Sequence, residues 1–448
     1  MAKRPRISVM GIGYVGLCTA VGFASKKYRV LASTHDAEKA KKINKGVPPF
    51  YEPNLQKLLK ETIESGYLKC LLNQQENTVL ETDITFNAVG TPSKPDGSID
   101  LQHIKNSTQE IGKAILKKDA YHVVAVKSTV VPGTTQNIVK PILEKVSKKQ
   151  CGSDFGLCMT PEFLREGSAL KDTFNPDRII IGEHDKTSGD KLENLYRSFY
   201  SPKMPPVVRT NLPTAELIKY ASNAFLATKI SFINTMANIC EKTPGADIKT
   251  VAKGIGLDKR IGPLFLNAGL GYGGSCFPKD VKAMIAYSRN TGFRPELLEA
   301  VEEVNETQPR KAAELCKRIL GDLKNKKIAI LGLSFKPHTD DIREARSIPL
   351  INQLLKEGAL VTAYDPVAIP ATKTILKTRI EYASSAVECL RNADCCIVVT
   401  EWDEFKSLKP EDFTKNMRQP VLIDGRRIYA VEKFSPKLKF AAIGLNTP

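Results

Sequence analysis

The sequence predicts an α/β chain in which two doubly wound units are joined by a central, mainly helical region. Three observations carry this. Near the start, the apolar run Ile7–Met10 enters Gly11-Ile12-Gly13-Tyr14-Val15-Gly16 and then a helical pattern over 17–27. From 214 to 320 the pattern stays helical, broken by one glycine-dense loop. From Lys327 onward, short apolar runs again alternate with helical ones, as they do when parallel strands are linked by crossover helices. The expected domains are 1–210, a Rossmann domain for NAD(P); 211–322, a helical dimerisation domain; and 323–448, a second Rossmann-like domain.

With 448 residues, 42% hydrophobic and 26% charged, the chain is long enough for two or three domains and too apolar to be disordered. Its ten cysteines lack paired metal spacing, so no metal is expected, and Cys395-Cys396 reads as core. No apolar N-terminal segment suggests secretion, and no run reaches the roughly 18 residues of a membrane span. A reducing cytoplasm is therefore expected. The net charge of +17 admits nucleic acid. Its lysines are spread along helices, however, which favours a solvated basic surface or an anionic metabolite.

In the first unit the glycines have separate tasks. Gly11 makes a tight turn, Gly13 admits a pyrophosphate and Gly16 lets helix and sheet pack closely, while Tyr14 and Val15 open the helix. A fingerprint placed between strand and helix is a dinucleotide site. Further strands are read at 29–33, 84–89, 122–126 and 155–159, whereas 46–59, with Pro48, Pro49 and Pro53, reads only as a connection. Ligands sit at the carboxyl ends of such strands, which brings in Thr91, Pro92 and Thr129; either threonine also reads as an ordinary turn residue. Glu162 and Glu166 follow the strand at 155–159 with a spacing of one helical turn. They form either a solvated face or a pair that manages water and protons.

The acid that holds the adenosine ribose is expected at the end of the second strand. Counting from Gly16, and anchoring on the helix that ends at Ile43-Asn44, that place falls on Thr34. Threonine keeps one hydroxyl and removes the repulsion that excludes a 2′-phosphate. His35 and Lys39 add a donor and a cation. NADP is then expected to be accepted as well as NAD. In the opposing reading, Asp36 reaches the ribose from two positions later.

The central loop reads FLNAGLGYGGSCFPKD over 265–280. Gly269, Gly271, Gly273 and Gly274 suit a backbone that passes close to a ligand or takes positive φ. Ser275-Cys276-Phe277-Pro278 reads as a helix start, with serine as N-cap and proline in the first turn. A thiol there feels the positive helix end and the Lys279 ammonium, both of which favour thiolate. Asp280 lies one turn along the same face as a candidate base. The plainer alternative is a small buried residue after a turn. Upstream, a helix over 213–240 sets Lys219 and Asn223 one turn apart, either as an ammonium beside an amide or as two exposed residues. The long helical span is a natural dimer surface.

In the second unit, strands are read at 327–333, 360–365, 395–400 and Val421–Asp424, with a helix at 346–355. Its first turn, Gly332-Leu333-Ser334-Phe335-Lys336, lacks the full glycine fingerprint, so a second dinucleotide bound in the same way is not expected. Lys336, Arg343, Arg426 and Arg427 follow strand ends and suit a phosphate.

GIGYVGL at Gly11, TPEFLREGSAL at Thr160, ELIKYASN at Glu216, RIGPLFLNAGLGYGGSCFPKD at Arg260, GLSFKPHTDDIRE at Gly332 and DGRR at Asp424 together resemble the UDP-glucose 6-dehydrogenase family, in the family's order and over essentially the whole chain. The resemblance implies a four-electron oxidation of the C6 alcohol of UDP-glucose to UDP-glucuronate with two cofactor molecules, in a homodimer or dimer of dimers. GDP-mannose or a UDP-N-acetylhexosamine is the alternative substrate; GGSCFPKD and Phe174-Asn175-Pro176-Asp177-Arg178-Ile179 resemble the UDP-glucose branch more.

By the same resemblance, Cys276 forms a thiohemiacetal and then a thioester. Lys219 steadies the oxyanion, Asn223 and Thr129 hold a water, Asp280 handles protons and Glu162 assists hydrolysis. Glu166 lies between sugar and nicotinamide, and Lys279 and Arg343 lie on the cofactor side. The substrate is held by Glu162, Phe163, Leu164 and Arg165, and by Phe265, Leu266, Asn267, Gly271, Tyr272 and Gly273. Phe335, Lys336 and Arg426 serve its phosphates and uridine, which makes the last domain the UDP-sugar-binding one. Arg260 reaches over from the second subunit. A one-step hydroxy-acid dehydrogenase has no use for Cys276, and a silent binding protein has no need of Cys276, Lys219 and Asp280 together.

Overall fold

Ile7–Met10 is buried along its whole length, and for that reason its sequence is an apolar run interrupted only by Ser8. The Ser8 and Thr85 hydroxyls hydrogen-bond to each other at 2.6 Å, so that buried polar group is satisfied. The computed structural model describes residues 4–446 and makes this strand, β1, an interior strand of an eight-stranded sheet. The others are β2 (Val30–Thr34), β3 (Leu68–Leu72), β4 (Ile84–Asn87), β5 (His122–Val126), β6 (Phe155–Met159), β7 (Ile179–Glu183) and β8 (Val207–Asn211). Their order is β3-β2-β1-β4-β5-β6-β7-β8, with only β6 and β7 antiparallel. The order reverses between β1 and β4, where an open parallel sheet receives its ligand. Helix α1 (Tyr14–Ser25) packs Leu17, Val21 and Phe23 against Ile7, Val9 and Phe86 of the sheet.

Helices Leu212–Cys240, Ile248–Gly256, Phe277–Asn290 and Glu296–Leu320 precede a second sheet. It comprises β9 (Lys327–Leu331), β10 (Leu360–Tyr364), β11 (Glu381–Tyr382), β12 (Cys395–Val398), β13 (Val421–Asp424) and β14 (Lys439–Ala442). All its pairs are parallel, in the order β11-β10-β9-β12-β13-β14. The α/β class with two doubly wound sheets and a helical middle is therefore as the sequence predicts. Cys395 and Cys396 point to opposite faces of β12 and join separate apolar clusters. The chain forms two compact units, 1–222 and 223–448, each described below by itself. No helix among the described residues is long and apolar enough to cross a membrane.

Several local expectations need correction. β3, β7, β8, β11 and β14 are additional to the strands read from sequence. Glu162 and Glu166 do not share a helical face, because 160–166 is irregular. There the Glu162 carboxylate turns back onto the Leu164 amide, a local bond that competes with helix formation. The residue at the N-cap of Phe277–Asn290 is Cys276 rather than Ser275.

Candidate active site

At the carboxyl end of β1, Gly11 has φ +85°, and a Cβ there would lie 2.7 Å from the Val89 Cα. A Cβ on Gly16 would lie 1.9 Å from the Gly11 carbonyl oxygen, so helix and turn meet only through glycine. Gly13, the N-cap of α1, has nothing within 4 Å of an added Cβ, and no acidic residue stands in the first turn. Open space in front of a helix N-terminus, with its unpaired amides and positive dipole end, fits a pyrophosphate. The Thr91 hydroxyl donates to the Thr129 carbonyl at 2.9 Å, which joins the loops after β4 and β5, while the Pro92 carbonyl accepts the Asp100 amide.

Thr34 is the last residue of β2. Its hydroxyl oxygen accepts the Asp36 amide at 3.1 Å. Asp36 caps α2 (Ala37–Asn44) by accepting the Lys39 amide at 3.0 Å, and the Lys39 ammonium lies 3.4 Å from the same carboxylate. Those contacts, the Lys39 backbone amide first, hold the Asp36 carboxyl below its ordinary range. His35 bonds the Asn73 side chain at 2.9 Å.

In the same unit, Glu162 and Lys219 form an ion pair at 3.3 Å, with both side chains nearly inaccessible. The Phe163 ring also lies 5.2 Å from the Lys219 ammonium. Arg165 grips Asp172 through two side-chain bonds and its own amide, so its guanidinium is committed locally. Glu166 ends the irregular segment. Beyond it, the Gly167 amide donates to Tyr14 Oη at 2.9 Å and to Glu52 at 2.7 Å. Glu52 was invisible in a stretch read as a mere connection, yet it is buried and also accepts the Ala169 amide at 2.7 Å.

Cys276, in the second unit, is partly exposed, whereas the chain's nine other cysteines are all buried. Burial pushes Cys70, Cys151, Cys158 and Cys389 up to about 12, which keeps them inert. Cys276 occupies a helix N-cap with no side-chain capping bond, and the Ser275 hydroxyl lies 3.5 Å from its sulfur. One turn on, the Asp280 amide donates to the Cys276 carbonyl at 2.8 Å. The buried Asp280 carboxylate accepts Asn223 Nδ2 at 2.6 Å and Lys279 Nζ at 2.5 Å. Thus the Lys279 ammonium serves Asp280.

The glycine loop is pinned by three side chains from two helices. Asn234 accepts the Gly269 amide at 2.8 Å, Asn305 accepts the Tyr272 amide at 2.7 Å, and Gln308 donates to the Gly269 carbonyl at 3.0 Å. Phe265 stands at φ +65°, which is unusual for a bulky residue; Leu266 beside it is buried and Asn267 exposed. A Cβ on Gly273 would strike the Glu344 carbonyl at 2.3 Å, and one on Gly274 the Phe335 ring at 2.7 Å. Glycine therefore lets this loop lie flat on the first turn of the second sheet. Asn305 and Gln308 escape a sequence reading that follows only apolar periodicity, although two buried amides three residues apart on one helix are a usable signal.

Around that turn, Lys336 Nζ lies 5.5 Å from the Phe335 ring, and Arg426 Nη1 donates to the Gly271 carbonyl at 3.4 Å. Arg343 makes a two-pronged contact with Asp341, closest at 2.6 Å. Arg427 is not available to a phosphate, in contrast to the sequence expectation: it is buried, paired with Asp247 at 2.8 Å and bonded to the carbonyls of Ile443 and Gly444. After β10, the Asp365 carboxylate accepts the amides of Leu333 and Ser334 and the Trp402 indole. The acid that follows the second strand is thus consumed in holding the first turn. Arg260 is exposed and paired only with Asp258 among the described residues.

The three parts of the UDP-glucose/GDP-mannose dehydrogenase family match in order: the NAD binding domain over residues 5–200, the central domain over 213–307 and the UDP binding domain over 329–431. The chain is 44% identical over 423 residues to the UDP-glucose 6-dehydrogenase AglM of Haloferax volcanii, covering 94% of this chain and 96% of that protein. It is 41% identical over 428 residues to the UDP-glucose 6-dehydrogenase TuaD of Bacillus subtilis, covering 96% and 90%. A solved UDP-glucose dehydrogenase from the archaeon Pyrobaculum islandicum superposes with a TM-score of 0.91 at 37% identity, over 99% of this chain and 98% of that one. With these matches spanning nearly its whole length, the chain belongs to the UDP-glucose/GDP-mannose dehydrogenase family.

Proposed function

We propose that the chain oxidises the C6 alcohol of UDP-glucose to the carboxylate of UDP-glucuronate, with NAD as hydride acceptor. The observation that carries the chemistry is Cys276: a partly exposed thiol at a helix N-terminus, delivered by a glycine loop and one turn from a buried carboxylate. When bound, the cofactor accepts one hydride at each of two oxidations. Between them the Cys276 thiolate adds to the C6 aldehyde carbon, giving a thiohemiacetal whose oxyanion the Lys219 ammonium stabilises; a cation in a dry site is worth most there. Loss of the second hydride leaves a thioester. Water held by Asn223 and Thr129 attacks it with help from Glu162, releasing the carboxylate and restoring the thiolate, while Asp280 takes up and returns protons.

The Gly11–Gly16 turn and α1 hold the cofactor, with Glu166, Lys279 and Arg343 on its side. The glycine loop with Phe335, Lys336 and Arg426 holds the sugar nucleotide. The domains at 1–210, 211–322 and 323–448 divide the work into cofactor binding, catalysis with assembly, and UDP-sugar binding. A homodimer fits the helix Leu212–Cys240, whose Phe225, Phe232 and Ile239 recur every seven residues at 65%, 49% and 52% exposure. Such an apolar stripe favours a second copy over water. Arg260 then completes the partner's site, in a cytoplasmic enzyme that supplies uronate for polysaccharides. NADP is accepted alongside NAD, because Thr34 carries no charge and Asp36 is engaged in capping α2.

The purified protein is expected to form two equivalents of reduced cofactor per UDP-glucose with no free aldehyde. In Cys276→Ser, turnover should collapse while UDP-glucose binding by calorimetry persists. A single equivalent, or near-normal turnover in that variant, would sink the covalent mechanism.

A further inference from the structure

Phe163 carries two cations on one ring. The Arg178 guanidinium carbon lies 3.8 Å from the ring centre, and the Lys219 ammonium lies 5.2 Å from it. Lys219 also pairs at 3.3 Å with Glu162, and both of those side chains are nearly inaccessible. A cation on a ring gains more where water is excluded. Arg178 has a second anchor, since its Nη2 donates to Ser222 Oγ at 3.3 Å and that hydroxyl donates to the Ile218 carbonyl at 2.8 Å. Ser222 stands one turn after Lys219 on the helix Leu212–Cys240. One guanidinium therefore braces both the ring beside Lys219 and the helical turn that carries Lys219.

That brace matters because Phe163 lies in the irregular segment 160–166, where no secondary structure fixes its ring. Among the described residues Arg178 makes no ion pair, so its charge is spent on the ring and on Ser222. The planar guanidinium suits both tasks: its face stacks while its edge still donates. A lysine would keep the charge near the ring and lose the tie to Ser222.

We propose that Arg178 is a positioning residue for the oxidation. It fixes the Phe163 ring that shares the Lys219 ammonium with Glu162, and so sets how that ammonium is presented to the oxyanion. The inference rests on the reading in which Lys219 stabilises that oxyanion.

Steady-state kinetics with UDP-glucose and NAD on Arg178→Leu, Arg178→Lys, Lys219→Ala and the Arg178→Leu/Lys219→Ala double variant test it, with thermal unfolding alongside. Arg178→Leu is expected to lower kcat by about tenfold to thirtyfold, the scale of a desolvated cation–π contact, with the UDP-glucose KM held within about threefold. Arg178→Lys should recover only part of the loss, because it keeps a charge near the ring and loses the tie to Ser222. In the Lys219→Ala background, Arg178→Leu should change kcat no further, because residues acting through one group are not additive. Multiplied losses in the double variant, or a raised KM with kcat intact, would overturn the proposal. Near-normal kcat in Lys219→Ala would instead overturn the role of Lys219 itself, whereas collapse in Lys219→Ala with unchanged kcat in Arg178→Leu would sink this inference alone. If Arg178→Leu does not fold, Phe163→Leu supplies the same test with Arg178 in place. It is expected to lower kcat comparably, and adding Arg178→Gln should cost nothing more; a further loss would overturn the proposal.

Discussion

Thr34 closes β2 with its hydroxyl oxygen on the Asp36 amide, and the Asp36 carboxylate is bound to the Lys39 amide and ammonium. An acid at the strand end would hold the ribose and repel a 2′-phosphate; a threonine offers one hydroxyl and no charge. The ratio of kcat/KM for NAD over NADP is therefore expected to stay below about a hundredfold, the equivalent of about 2.7 kcal/mol. Thr34→Asp should raise it by about tenfold or more, on the scale of one charge–charge repulsion. Kinetics with both cofactors at saturating UDP-glucose check this, and an unchanged ratio would mean that Asp36 already discriminates. At this scale Cys276 and Gly11 are legible from sequence because their chemistry is local, in a thiol at a helix start and a glycine in a turn. Arg178, Glu52 and Asn305 are not, since each matters only through a residue distant in sequence.

At the scale of elements, the turn after β5 leads into a π-helix, Thr135–Val139, and is held by Glu216 of the helix that carries Lys219. Glu216 accepts the Gly133 amide at 2.5 Å and the Thr135 amide at 2.7 Å. Burial pushes its carboxyl up to about 7 despite those amides. The folded state then holds the Glu216 proton more tightly than the unfolded chain. The contribution is fully present below about pH 4.5 and is lost as pH rises through about 7, to a ceiling on the order of 3 kcal/mol. Urea unfolding of wild type and Glu216→Gln at several pH values should show wild-type stability falling relative to the variant across that window. A constant difference would exclude Glu216 as the titrating group. Element boundaries were best legible where strands are central: β1, β5, β6 and β13 match the apolar runs residue for residue. The edge strands β3, β8 and β11 were not, because partial exposure breaks the apolar run that marks a buried strand, and β7 and β14 were missed although their apolar residues are buried.

At the scale of the whole molecule, the exposed stripe of Phe225, Phe232 and Ile239 is the surface the proposed homodimer would bury, and Arg260 is exposed. Sedimentation is expected to give a dimer or a multiple of one. Mixing inactive Arg260→Ala and Cys276→Ala subunits should then restore part of the activity through hybrids in which one site has both residues. No recovery after verified subunit exchange would make each site self-contained.

By itself the sequence determined the class of fold, the glycine turn after the first strand, a cysteine at a helix start with a carboxylate one turn away, and the absence of a full glycine fingerprint in the second sheet. All of these rest on spacing within a few residues, where helical and strand periodicity and glycine sterics operate directly. Only the tertiary structure decided which partners those groups have. Asn223 meets Asp280 across 57 residues of sequence, Lys219 meets Glu162, Phe335 and Glu344 leave room only for glycine at 273 and 274, and Arg427 turns inward to Asp247. A side chain's charge and reach are properties of the residue, but the group that meets it is chosen by how distant segments pack, and local spacing carries no record of that choice.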